Sequence, residues 1–198
     1  MRYCSAPACP GNCPGIRGTG WQEGSQEKVI PGGRGETGTV IEIDVVNRQV
    51  RHQVDNQRLV EATRHVLQSH GITSGQISIA ILDNPMIREL NLEFLDHDYA
   101  TDVLSFVLER EGEMLEGEIA VSAEMAADQA GQYGWPAAHE LLLYVVHGAL
   151  HLVGLDDKQP DSMEQMRSAE HQVCEWLGIG PPPDRPVQNP VEGDEKTC

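Results

Sequence analysis

The chain has 198 residues, enough for one domain with a substantial core. Its formal net charge of −17 argues against a simple nucleic-acid patch or general phosphate-binding surface. No apolar run approaches the roughly 20 residues that span a membrane, and Met1-Arg2-Tyr3-Cys4 opens no apolar signal-peptide core, so a soluble, cytoplasmic protein is expected. The charge is uneven: residues 89–180 carry only Arg110, Lys158 and Arg167 against nineteen acids. Basic surface must therefore come from Arg48, Arg51, Arg58 and Arg64 or from the tail.

In chain order, residues 1–39 are rich in Gly and Pro without apolar periodicity and are expected to be a disordered leader. Cys4, Cys9 and Cys13 cluster there without a fourth local ligand for a structural zinc; Cys174 falls in a helical pattern and Cys198 is terminal. A strand is predicted over Val40–Val46 and a helix over Asn56–Ser69, capped by Asp55 and ended by Gly71. Gln76–Leu82 reads as a strand, and Pro85 opens a short helix carrying Met86, Ile87, Leu90 and Phe94. Val103–Leu108 makes another strand. Acidic residues 109–118, with Gly112 and Gly117, read as a loop leading into a strand through Ile119 and Val121. Helices are expected from Ser122 or Glu124 to Tyr133, from Ala137 to Val153, and from Asp161 to Leu177. Residues 179–198, with Pro181-Pro182-Pro183, form an expected disordered tail. The class is α/β (α+β), a single mixed sheet of about four strands with about five helices, and the domain spans 40–178.

His147 and His151 lie four residues apart in the apolar run Leu141–Val153. A helix turns about 100° per residue, so positions i and i+4 share a face. Gly154 can take a positive-φ turn, and Asp157 then arrives from another direction, giving H-x-x-x-H-x-x-G-x-x-D. Two imidazoles and a carboxylate match a zinc donor set that leaves one position open. Asp156 is the alternative third ligand, or a cap for the turn. Gly148 leaves room beside the ion and occupies the place of the Glu in the metallopeptidase motif H-E-x-x-H. Two histidines satisfied by hydrogen bonds in the core would be the plain structural alternative. Zinc lowers the pKa of bound water from about 15.7 to about 7, so that water is the expected nucleophile.

The run His147-Gly148-Ala149-Leu150-His151-Leu152-Val153-Gly154-Leu155-Asp156-Asp157 resembles the signature H-G-x-L-H-L-x-G-[YF]-D-H of the YbeY family of endoribonucleases. Leu90-Asn91, Thr101–Phe106 and Gly117–Ser122 resemble further blocks of that family, in order and spacing, across residues 40–178. The resemblance implies a zinc-dependent, single-strand-specific endoribonuclease with one Zn2+ per chain. It further implies maturation of the 16S rRNA 3′ end and ribosome quality control. Ribosomal RNA, the small ribosomal subunit and assembly factors would be its partners. The family's third histidine falls on Asp157, still a competent ligand, and its functional arginine falls on Leu95, which cannot steady a phosphate. His97 is a nearby candidate substitute. A ribosome-assembly binding protein with a structural metal and weak nuclease activity is the alternative.

Asp102 and Ser105 are candidates to contact substrate, or simply bound a buried strand. Glu140, seven residues before His147, reads as a helix-start charge rather than a base. His52, His65, His70, His139 and His171 read as surface or helix-face residues.

Overall fold

The computed structural model describes residues 4–5 and 40–183. The expected leader apart from Cys4 and Ser5, with Cys9 and Cys13, and the expected tail beyond residue 183, with Cys198, lie outside the described residues. Four long strands and five helices follow the predicted order: β2 (Ile41–Asn47), α1 (Asn56–Ser69), β3 (Ser74–Leu82), α2 (Asn84–Leu95), β4 (Val103–Glu111), β5 (Met114–Ser122), α3 (Ala123–Tyr133), α4 (Ala137–Leu152) and α5 (Pro160–Trp176). A two-residue strand, β1 (Cys4–Ser5), pairs in parallel with Leu104 and Ser105. The sheet order is β1-β4-β5-β3-β2. Its β2/β3 and β3/β5 ladders are parallel and β4/β5 is antiparallel.

Local chemistry sets the helix starts. The carboxylates of Asp55 and Asp83 and the hydroxyl of Ser122 accept from the backbone N–H groups of Arg58, Met86 and Met125. Each such cap satisfies an orphan donor and is worth about 1 kcal/mol.

Residues 109–118 are a β-hairpin rather than a loop, with Glu111 paired to Met114. Gly112, at φ +56°, supplies the left-handed residue that a two-residue hairpin turn needs. The acids concealed this because a strand end exposed on both faces tolerates them: the β4 residues from Leu108 to Glu111 are all exposed.

Strand alternation sorts the core into two apolar layers. Ile77, Ile79, Ile119 and Val121 face the larger one, built with α1, α3, α4 and α5. Leu82, Leu104 and Ala120 face the opposite layer, closed by Ile87 and Leu90 of α2. Twelve of the sixteen α4 residues are buried, so this helix is apolar all round and lies inside the larger layer. That position brings the two histidines into the interior.

The close seat of α4 on the sheet depends on Gly148. A Cβ there would lie 2.9 Å from Val103 Cγ2 and 3.0 Å from Ile119 Cγ2. The space that Gly148 leaves is thus taken by the sheet and not by an ion. Gly148→Glu, which would recreate H-E-x-x-H, is expected to destabilise the fold by several kcal/mol through overpacking and an unpaired buried carboxylate. Chemical denaturation would register this as a lower midpoint; unchanged stability would contradict the packing.

Candidate metal centre

His147 and His151 sit one turn apart near the C-terminal end of α4. The helix then ends in a Schellman motif, in which Leu155 N–H bonds the Leu150 carbonyl and Gly154 N–H bonds the His151 carbonyl. Gly154 holds the left-handed position at φ +103°. This reversal folds the chain back over the histidines. The Leu155 carbonyl accepts a 2.9 Å hydrogen bond from His151 Nδ1. The Asp156 carboxylate accepts from the Asp157 N–H at 2.9 Å and so caps the turn. Asp157 faces the imidazoles, one carboxylate oxygen 3.8 Å from each Nε2.

Ligand atoms of His147, His151 and Asp157 all lie within 4.8 Å of one another, so the group could hold a metal ion. Hydrogen bonding sharpens this. His151 Nδ1 meets a carbonyl, and His147 Nδ1 meets Glu170 Oε1 at 2.6 Å. Both acceptors require the proton on Nδ1, which leaves the lone pair of each neutral ring on Nε2. The two Nε2 atoms stand 2.8 Å apart beside a carboxylate. Such donors repel unless a proton or a cation lies among them, and a divalent ion fits that set.

Burial opposes a charge on His147, but the hydrogen bond and charge of Glu170, then the charges of Asp157 and Asp102, outweigh it and raise its pKa. Burial and the neighbouring His147 lower that of His151, against weaker support from Asp157, the Leu155 carbonyl and Asp156. Metal-free protein therefore keeps a proton on His147 to higher pH than a free imidazole would. A metal must displace that proton, so apparent affinity is expected to fall about tenfold per pH unit as pH drops through the raised pKa. Chelator competition between about pH 8 and pH 5 checks the slope; constant affinity across that range would contradict it.

The other candidates are distributed unevenly. Asp102 is buried just before β4; its Oδ1 accepts from Thr101 Oγ1 and Val103 N–H. Among the described residues its buried Oδ2 has no hydrogen-bond partner, and its pKa is raised by burial although the charge of His147 pulls it down. Ser105 is buried within β4, opposite Ile119. Glu140 does lie in the first turn of α4, as a helix-start charge would, yet it is completely buried. Leu95 packs against the apolar layer under α2, and His97 stacks on Tyr99 with ring centroids 5.4 Å apart.

The basic residues also find specific places. Arg51 pairs with Glu124, while Arg58 and Arg64 donate to the carbonyls of Leu177 and Ile41. Arg110 reaches the ligand turn instead, donating to the Val153 carbonyl at 3.0 Å. Among the remaining histidines, His65 stacks on Trp176 at 3.9 Å and His139 meets Trp135 edge-on at 5.5 Å.

Sequence reasoning missed Glu170 and Arg110. Glu170 had a signal: it interrupts the buried stripe of α5 formed by Met166, Val173 and Cys174, and a carboxylate on such a stripe needs a partner. Arg110 had none, because its contact joins a hairpin to a turn forty-three residues away.

Fold and donor set together define a mixed α/β protein whose central helix and following turn form a candidate metal centre. The family model described as Endoribonuclease YbeY matches residues 44–178. An Endoribonuclease YbeY from Rhodopirellula baltica is 40% identical over 139 residues, covering 69% of this chain and 72% of the relative. One from Carboxydothermus hydrogenoformans is 36% identical over 141 residues, covering 69% and 97%. A solution structure of a Thermotoga maritima protein aligns with TM-score 0.48 and 26% identity, covering 70% of this chain and 93% of that one. The chain belongs to the YbeY endoribonuclease family.

Proposed function

We propose that this protein is a zinc-dependent, single-strand-specific endoribonuclease, with residues 40–178 as its working domain. Its substrate is ribosomal RNA, at the 3′ end of 16S rRNA, and it serves ribosome quality control in the cytoplasm beside the small subunit and assembly factors. The observation that carries the reading is the convergence of His147, His151 and Asp157 in a chain of this family. No helix among the described residues is long and apolar enough to cross a membrane.

In this reading His147 Nε2, His151 Nε2 and the Asp157 carboxylate hold the ion. Zinc there supplies Lewis acidity toward a phosphoryl oxygen and lowers the pKa of a water nucleophile. The Leu155 carbonyl and Asp156 keep the ligand turn in place. Asp102 and Ser105 contact the substrate or order the loop that borders it. Asp157 in place of a third histidine adds one negative charge and makes the metal less electrophilic. Peptide hydrolysis is disfavoured by packing, since the Glu it requires would fall at Gly148, against Val103 and Ile119.

A second reading, a ribosome-assembly binding protein with a structural metal and weak nuclease activity, is favoured by Leu95, whose side chain packs in an apolar layer. Metal analysis combined with cleavage of a labelled precursor RNA, for the native chain and His147→Ala, tests both. The nuclease reading expects near-stoichiometric zinc and cleavage that disappear together. Cleavage unaffected by the substitution would betray a contaminant, and a metal-loaded protein that cuts nothing would support the second reading.

A further inference from the structure

We propose that Glu170 is a positioning residue of the metal centre: its carboxylate holds the His147 imidazole, through Nδ1, in the orientation and tautomer that present Nε2 to a metal ion. The proposal rests on the reading that His147, His151 and Asp157 bind a metal, and not on the cleavage of RNA. It makes α5, which supplies none of those three ligands, a working part of the site.

Three observations carry it. First, Glu170 Oε1 lies 2.6 Å from His147 Nδ1, with the two residues 8% and 2% exposed. A charge-assisted bond of that length in a desolvated setting is among the stronger hydrogen bonds, and its geometry leaves the ring little freedom. Second, Glu170 occupies the apolar stripe of α5 between Met166 and Val173, where an aliphatic side chain would pack without a desolvation cost. A carboxylate is tolerated there because it has a specific partner. Third, the two imidazoles are held differently: His151 donates Nδ1–H to the neutral Leu155 carbonyl, whereas His147 donates to an anion. The carboxylate-backed ring is the more electron-rich ligand.

Glu170 is the carboxylate that bonds His147 Nδ1, while Asp157 and Asp102 act on the same ring through their charge. The Cys174 thiol is pushed up to about 12 by burial and by the charges of Glu170 and Glu140, so it stays protonated at neutral pH and adds no competing charge.

Titrating metal-free full-length protein with Zn2+ and Co2+ in competition with a chromophoric chelator tests the proposal. Partners of this kind typically change metal affinity by about 10–100-fold. Glu170→Gln, whose amide oxygen can still accept from Nδ1–H, is expected near the lower end because only the charge is lost. Glu170→Ala, which also frees the ring, is expected near the upper end, with a changed Co2+ absorption spectrum. Thermal unfolding in chelator shows whether either variant has lost its fold; if the Ala variant has, the near-isosteric Gln variant decides. Native affinity and a native Co2+ spectrum in the folded Gln variant would overturn the proposal. Failure of the native chain to bind either ion would sink it together with the metal reading. A drop in affinity for the Gln variant supports it even in a protein that cuts no RNA.

Discussion

His147→Ala is expected to lower metal affinity by on the order of a thousandfold or more and to remove RNA cleavage with it. His147 is 2% exposed, its Nε2 faces His151 Nε2 at 2.8 Å, and an Asp157 oxygen lies 3.8 Å away. Deleting it takes away one of three donors, and no other described side chain joins that group. The substitution also strips Glu170 of its hydrogen-bond partner inside the protein. Removing one member of a buried charged pair commonly costs about 3–5 kcal/mol, so the metal-free variant should also unfold earlier. Equilibrium dialysis with elemental analysis reads the first effect and a denaturant titration the second. Stoichiometric zinc in a folded His147→Ala protein would remove the metal centre from the account. Asp157→Ala should weaken binding less, because it leaves both buried imidazoles and their hydrogen bonds in place.

Leu95→Arg is expected to raise cleavage of single-stranded RNA by about 10–100-fold, the rate equivalent of roughly 1.4–2.7 kcal/mol from a new guanidinium–phosphate contact. The surroundings make this a demanding substitution. Leu95 is only partly exposed and packs against the layer of Leu82, Ile87, Leu90, Leu104 and Ala120. An arginine there can lay its aliphatic stem along the same surface and lift its charged end to solvent, so a loss of about 1–2 kcal/mol in stability is expected rather than collapse. Single-turnover kinetics with saturating metal isolate the effect on chemistry, and the salt dependence of KM should steepen with one added phosphate contact. A folded, metal-loaded Leu95→Arg protein with unchanged kinetics would favour the binding-protein reading. The acidic surface gives the native chain little alternative: Arg110, the arginine at the ligand turn, already donates to the Val153 carbonyl.

The architecture was legible wherever local rules decide it. The predicted bounds of α1 match the structure because Asp55 caps it and the chain leaves the helix into Gly71, and α4 was visible as one long apolar run. The hairpin was not legible, because its pairing of Glu109–Glu111 with Met114–Glu116 is a cross-strand relation that the acids hide. Gly148 was misread for a similar reason: its neighbours, Val103 and Ile119, lie on two strands far away in the chain.

At the site itself, sequence alone determined that His147 and His151 share a helix face and that Gly154 turns the chain toward Asp157, since these follow from the pitch of a helix and the freedom of a glycine. Tertiary structure decided what surrounds them. It brought Glu170 from α5 to His147 Nδ1, carried Arg110 from the hairpin to the Val153 carbonyl, and packed Leu95 against the apolar layer under α2. Ligand spacing is local and is written in the chain. Ring orientation, charge balance and access depend on the packing of α4, α5 and the sheet, which forms only when the whole core closes.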